Sequence, residues 1–274
     1  MKLNKLVGPI TGVFTLVCAT LTSHAVDFHV TSAQELQTAL TLAAANGANN
    51  NIYLAAGYYT GNFNFNSAQN MPLIIQGEPG TTNTQITIDG AGTGRDLNLV
   101  NTGTGNFTVR GITFLRNTGN SDYGTLRVAG GPTSSILVDT CRFITTSGTG
   151  KGLELVSGAT ASITNCIILG KNDGSRGIDL QLGTTISGCV VSSNGGEGIY
   201  LYSSSGLTLI GNTIVGNGFS GSKSSGVNGG GGYCTVKHNY IAGNGADGMY
   251  GGGWYENNVF KGNGGSGLMR NFTQ

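Results

Sequence analysis

Residues 177–212 read GIDLQLGTTISGCVVSSNGGEGIYLYSSSGLTLIGN, and one unit is written there twice. Gly177-Ile-Asp-Leu is answered by Gly198-Ile-Tyr-Leu, and Thr184-Thr-Ile-Ser-Gly-Cys189 by Leu207-Thr-Leu-Ile-Gly-Asn212. Each pass alternates apolar and polar residues over a few positions and then turns at a glycine, the pattern of short strands with one buried face.

Outward from this stretch the unit recurs at Gly152-Leu-Glu-Leu, Gly226-Val-Asn, Gly248-Met-Tyr and Gly267-Leu-Met, at intervals of 25, 21, 28, 22 and 19 residues. Repeats of this length cannot bury an apolar face alone, so stacked copies must share one core. Aligning the second strand of each unit exposes a slot filled in turn by Cys141, Cys166, Cys189, Asn212, Asn239 and Asn258. Coils of a parallel stack lie about 4.8 Å apart, so these residues fall above one another. Asn at an inward corner can hydrogen-bond the next coil and form a ladder, and Cys there acts as a small buried hydrophobe. Buried thiols are therefore expected in preference to a disulfide between neighbouring coils.

The ladder and the repeated Gly216-Asn-Gly and Gly262-Asn-Gly turns resemble the right-handed parallel β-helix family typified by pectate lyases, over roughly residues 50–272. The resemblance implies an all-β fold, a single-stranded right-handed parallel β-helix. Upstream, Ile52-Tyr-Leu, Pro72-Leu-Ile-Ile, Gln85-Ile-Thr-Ile, Leu97-Asn-Leu-Val and Phe107-Thr-Val alternate as strands do. Ser32-Ala-Gln-Glu35 is a capping box opening an apolar-periodic segment with Leu36, Leu40 and Ala43. That predicts an N-terminal capping α-helix near residues 32–45, a lid over the open core. A lid followed by Ile52-Tyr-Leu-Ala-Ala-Gly-Tyr-Tyr59 resembles the start of many secreted bacterial β-helix surface proteins.

Composition agrees with many tight corners: there are 49 glycines, and only 10% of residues are charged. Lys2 and Lys5, an apolar stretch from Leu6 to Leu21, and Ser23-His24-Ala25 read as a signal peptide cleaved after Ala25. Thr15-Leu-Val17 before Cys18 is a poor lipoprotein signal. The expected organisation is signal peptide 1–25, an N-terminal segment 26–50 with the lid, and the β-helix 51–274, in a secreted, periplasmic or cell-surface protein. Cleavage changes the net charge from +1 to −1, because 12 basic residues remain against 13 acidic ones. No basic stripe exists to neutralise nucleic-acid phosphates, and no later segment reaches the ~20 apolar residues of a membrane span. The chain closes at Phe272-Thr-Gln without a second lid, which leaves end-to-end self-association as an expectation.

In the family that the repeats resemble, the active face lies along the first sheet and the turns entering it. The outward column there is Asn98, Arg127, Glu154, Asp179, Tyr200, Asn228 and Tyr250, with Gln181 and Tyr202 beside it and Lys151, Arg176, Glu197 and Asp247 just before the strands. Glu154 and Asp179 on adjacent coils can share a proton, flank a glycosidic bond or, with further oxygens, hold calcium. Arg127, Lys151 and Arg176 beside them suit a uronate carboxylate or a lyase base, or else simple cross-strand ion pairs. Tyr200, Tyr202 and Tyr250, with Gln181 and Glu197, would contact sugar rings. The family's hydrolase and epimerase signatures (Asn-Thr-Asp, Asp-Asp, Gly-His-Gly, Asp-Pro-His-Glu) are absent, and His29 and His238 read as structural. The sequence thus points first to a non-enzymatic carbohydrate-binding or adhesin-like surface protein, with no required cofactor and a polysaccharide or cell-surface glycan as partner. Its alternative is a lyase acting on uronate polymers.

Overall fold

The computed structural model describes residues 25–265, apart from 117–119, 121, 147–149, 172–173, 203–205, 220–224 and 231. The chain winds as a right-handed parallel β-helix with three strands per coil, which stack into sheets of eight, ten and nine strands. One coil shows the pattern: Lys151–Ser157 lies in the first sheet, Thr160–Thr164 in the second and Ile167–Leu169 in the third. The alternation seen in the sequence is what fills the interior. Leu126, Leu153, Ile178 and Ile199 are register partners on the first sheet, Val138, Ile163, Ile186 and Leu209 on the second, and Phe143, Ile168, Val191 and Ile214 on the third. All of them are buried.

The lid forms where it was read. Ala33–Ala43 is α-helical, with Ser32 as N-cap accepting the Glu35 N–H. The Glu35 carboxylate reaches one residue further back than a standard capping box, accepting from the Thr31 N–H and hydroxyl. Leu36, Ala39, Leu40 and Ala43 close the end of the core. Gln37 exchanges two hydrogen bonds of 2.9 Å with the main chain of Asn64, which satisfies the outer strand of the first sheet. The segment before the helix holds a strand that the sequence reading did not separate: Val26–Val30 pairs with Asn50–Leu54 and extends the second sheet. The expected signal peptide and the C-terminal end, including Gly267-Leu-Met, lie outside the described residues.

The ladder follows from backbone geometry at the second corner. Thr140, Asn165, Gly188, Gly211, His238 and Asn257 each precede a ladder residue, and each has φ between 52° and 63°. Gly188 and Gly211 take this left-handed conformation at no steric cost, while the non-glycine residues hold it because the coil closes there. The turn aims the following side chain inward. Asn212 Nδ2 then donates to Ile186 O, and its Oδ1 accepts the Cys189 N–H, both at 2.9 Å. Asn239 repeats this toward Asn212, and Asn258 toward Asn239. The cysteines are free and buried, and they mimic the amide weakly: Cys189 Sγ accepts the Cys166 N–H at 3.4 Å and donates to Ile163 O at 3.6 Å.

A second ladder runs along the third corner through Asn194, Asn217, Asn244 and Asn263, with main-chain N–H to Oδ1 distances of 3.0–3.1 Å. The Gly-Asn-Gly repeats carried its signal, but they read as turns because nothing local says that their asparagines face inward. Replacing Asn239 by Ala strips the Asn212 N–H and Leu209 O of their buried partners. At 1–3 kcal/mol per orphaned group, the variant is expected to lose about 3 kcal/mol in a denaturant titration.

Candidate functional site

Register places Asn98, Arg127, Glu154, Asp179, Tyr200, Asn228 and Tyr250 in one outward column of the first sheet, in the order read from the sequence. Their accessibility differs from that reading. Glu154 is 8% and Asp179 2% exposed, because cations fold over them. Lys151 Nζ lies 2.6 Å from Asp179 and 3.8 Å from Glu154. Arg95 meets Glu154 at 3.0 Å, and Arg127 approaches the same carboxylate at 3.8 Å while donating to Asn98. Arg176 pairs with Glu197 at 3.0 Å and with Asp179 at 3.5 Å.

Arg95 was absent from the sequence-derived set. It enters the first sheet two residues before Leu97, the position that Lys151 holds relative to Leu153 and Arg176 relative to Ile178. That periodic position was its available signal. Between Arg95 and Lys151 the same position is Gly124, where a Cβ would stand 2.4 Å from Glu154 Cβ. Glycine there leaves the room through which the Glu154 carboxylate reaches the Gly124 N–H and Arg95.

Burial drives Asp179's pKa upward against the pull of Lys151 and Arg176, and its Oδ1 is buried with no hydrogen-bond partner. For Arg127, burial lowers the pKa while Glu154 opposes the shift. Burial acts the same way on Arg176, but Glu197 and Asp179 outweigh it and raise the value. The Lys151 ammonium stands between the two carboxylates that the sequence offered as calcium ligands. Among the described residues no group of three or more His, Cys, Asp or Glu side chains is arranged to hold a metal ion.

The tyrosines divide into two sets. Tyr200 and Tyr202 meet edge to face at 4.5 Å, and the Arg176 guanidinium lies 3.8 Å above the Tyr200 ring while donating to the Tyr202 hydroxyl. Tyr202 remains half-exposed. Tyr250 is exposed too, but stands two coils further along, beyond Asn228. Glu197 serves Arg176 rather than an open surface.

Beside the strip, where the chain leaves the first sheet, runs a groove of about 620 Å³. Val100–Thr102, Ala129–Pro132, Val156–Ala159 and Gln181–Gly183 line it in four successive coils. Of these residues the sequence reading had singled out Gln181 alone, because a concave corner between sheets leaves no local pattern.

A buried acid closes the entrance corner. Asp96 is 1% exposed; its Oδ1 accepts the Gly90 N–H at 2.9 Å and its Oδ2 has no partner. Burial pushes its pKa from 3.8 up to about 8, with the Gly90 N–H pulling down and Asp89 pushing up.

Two expected outcomes follow from these charges. A carboxyl whose folded pKa is raised contributes stability in full below the unfolded value and loses it as pH climbs through the folded one. The melting temperature should therefore decline between pH 4 and 8, and Asp96→Asn should flatten that decline in thermal scans. Lys151→Met leaves two buried carboxylates short of a cation and should cost about 3 kcal/mol. Adding Asp179→Asn to that variant should restore part of the loss, which a double-mutant cycle measures.

The right-handed β-helix region family matches the chain over residues 45–214 and 178–271. Among curated proteins none matches. Two solved structures from Azotobacter vinelandii resemble it. The A-module of mannuronan C-5 epimerase AlgE4 is 14% identical, covering 89% of this chain and 98% of that one, at a TM-score of 0.35. The A-module of mannuronan C-5 epimerase AlgE6 is 13% identical, covering 87% of this chain and 74% of that one, at 0.34. These likenesses are too distant to assign a role to any residue.

Proposed function

The chain belongs to the right-handed β-helix family, and we propose that it is a non-enzymatic glycan-binding protein of the cell exterior whose ligand lies along the first sheet. One observation carries this reading. The carboxylates that a polysaccharide-cleaving enzyme would use are covered and ion-paired, whereas the groove next to them is open, and the half-exposed Tyr202 stands one coil beyond its last lining residues. Gln181 and Tyr202 donate their main-chain N–H groups to Leu155 and Leu180, so they stand at equivalent positions on consecutive coils. A sugar lying in the groove would reach the Tyr202 ring, which offers an apolar face and a polar tip. The apolar N-terminal stretch and the charge-poor coils support an exported protein, and no helix among the described residues is long and apolar enough to cross a membrane.

A second reading, a lyase acting on uronate polymers, draws on the raised pKa and unpartnered Oδ1 of Asp179. The two readings separate in one experiment. Incubation with a panel of polysaccharides should yield binding without chain cleavage, and Tyr202→Ala should weaken retention about tenfold, the equivalent of ~1.4 kcal/mol. Release of unsaturated uronate ends that disappears in Asp179→Asn would overturn the binding-only reading in favour of the lyase.

A further inference from the structure

The groove differs in chemistry from the strip beside it. Among the described residues no charged side chain lines it; its polar lining is Asn101, Thr102, Ser157 and Gln181. Two of these are committed to the fold. Asn101 Nδ2 donates to Gln69 O while its Oδ1 accepts the Gly103 N–H, and Ser157 Oγ donates to Gly130 O. The exposed Thr102 hydroxyl and Gln181 amide are left to meet a ligand. They stand on the first and fourth coils of the groove, about 14 Å apart at 4.8 Å per coil. Between them Gly130 and Gly131 have no room for a side chain: a Cβ on Gly131 would lie 1.8 Å from Gly103 O, and one on Gly130 2.9 Å from Ser134 Cβ.

Charge decides which polymer fits. Each of the four cations in the neighbouring strip already faces a carboxylate of Glu154, Asp179 or Glu197. A uronate carboxylate entering the groove would lose part of its hydration and gain no free cation in return. Hydroxyl-bearing rings meet no such penalty, since an amide and a hydroxyl can serve them as donor and acceptor. On the glycan-binding reading above, we infer that the groove takes an uncharged glycan chain lying along the axis of the β-helix, held at its ends by Thr102 and Gln181.

Affinity electrophoresis of the full chain tests this, using gels that contain neutral glucan, mannan, galactan or arabinan, or polygalacturonate or alginate. At least one neutral polymer should retard the protein, and the retardation should hold across a roughly tenfold range of salt. Gln181→Ala should weaken it about tenfold. Ala159→Trp, which fills the groove from an exposed position, should abolish it; an unchanged circular dichroism spectrum and melting temperature would show that the variant is folded. Thr102→Ala, which only trims an exposed side chain, provides a second check. Retention by the polyuronates alone, falling with salt, would overturn the uncharged ligand and leave glycan binding standing. Retention by a neutral polymer that survives both Gln181→Ala and Ala159→Trp would remove the ligand from this groove. Failure of every polymer to retard the protein would overturn the glycan-binding reading and this inference together.

Discussion

Every corner of a stacked coil exposes main-chain N–H groups that the strands cannot satisfy, and each must find an acceptor on the next coil. In the downstream coils of this protein the requirement is met at two corners by a side chain that turns inward directly after a left-handed residue. Asparagine suits the slot because one amide both accepts from the coil before it and donates to a carbonyl within the stack. Over the coils that they span, the two asparagine ladders tie each corner to the next, in step with the register of the three sheets. The side-chain columns on the outer faces are consequences of that register.

The first sheet shows how far register alone can go. It sets Glu154 beside Asp179 and brings cations from the entering turns to their edges. In a chain so poor in charge, seven charged groups on a few neighbouring coils form a continuous network rather than separate pairs. The network turns carboxylates that point away from the core into buried ones, at a desolvation cost that its ion pairs offset. Where the same coils leave the sheet, glycine, alanine and proline leave the surface concave and uncharged. A sealed charged strip and an open neutral groove thus stand side by side.

Legibility in the sequence tracked the range of the interactions. The helical lid could be read because Ser32 and Glu35 act within one turn and Leu36, Leu40 and Ala43 share a helix face. The Cys-to-Asn ladder could be read because its slot repeats after a recognisable strand. The Asn194-to-Asn263 ladder was visible only as turns, since facing inward is settled by how the third sheet closes on the first. Arg95 was missed because its coil is less regular than those downstream, although its distance from the strand matched that of Lys151 and Arg176.

The sequence by itself determined the fold, the axis along which residues stack and the order of the outward column. Period and alternation are properties of the chain, and a stacked repeat converts them directly into position. Only the tertiary structure decided what those positions are worth. Whether Glu154 and Asp179 meet solvent depends on where four long cationic side chains from their own and neighbouring coils come to rest, and whether a groove exists depends on the angle between two sheets. Both turn on contacts between neighbouring coils, more than twenty residues apart in sequence, which no local pattern records.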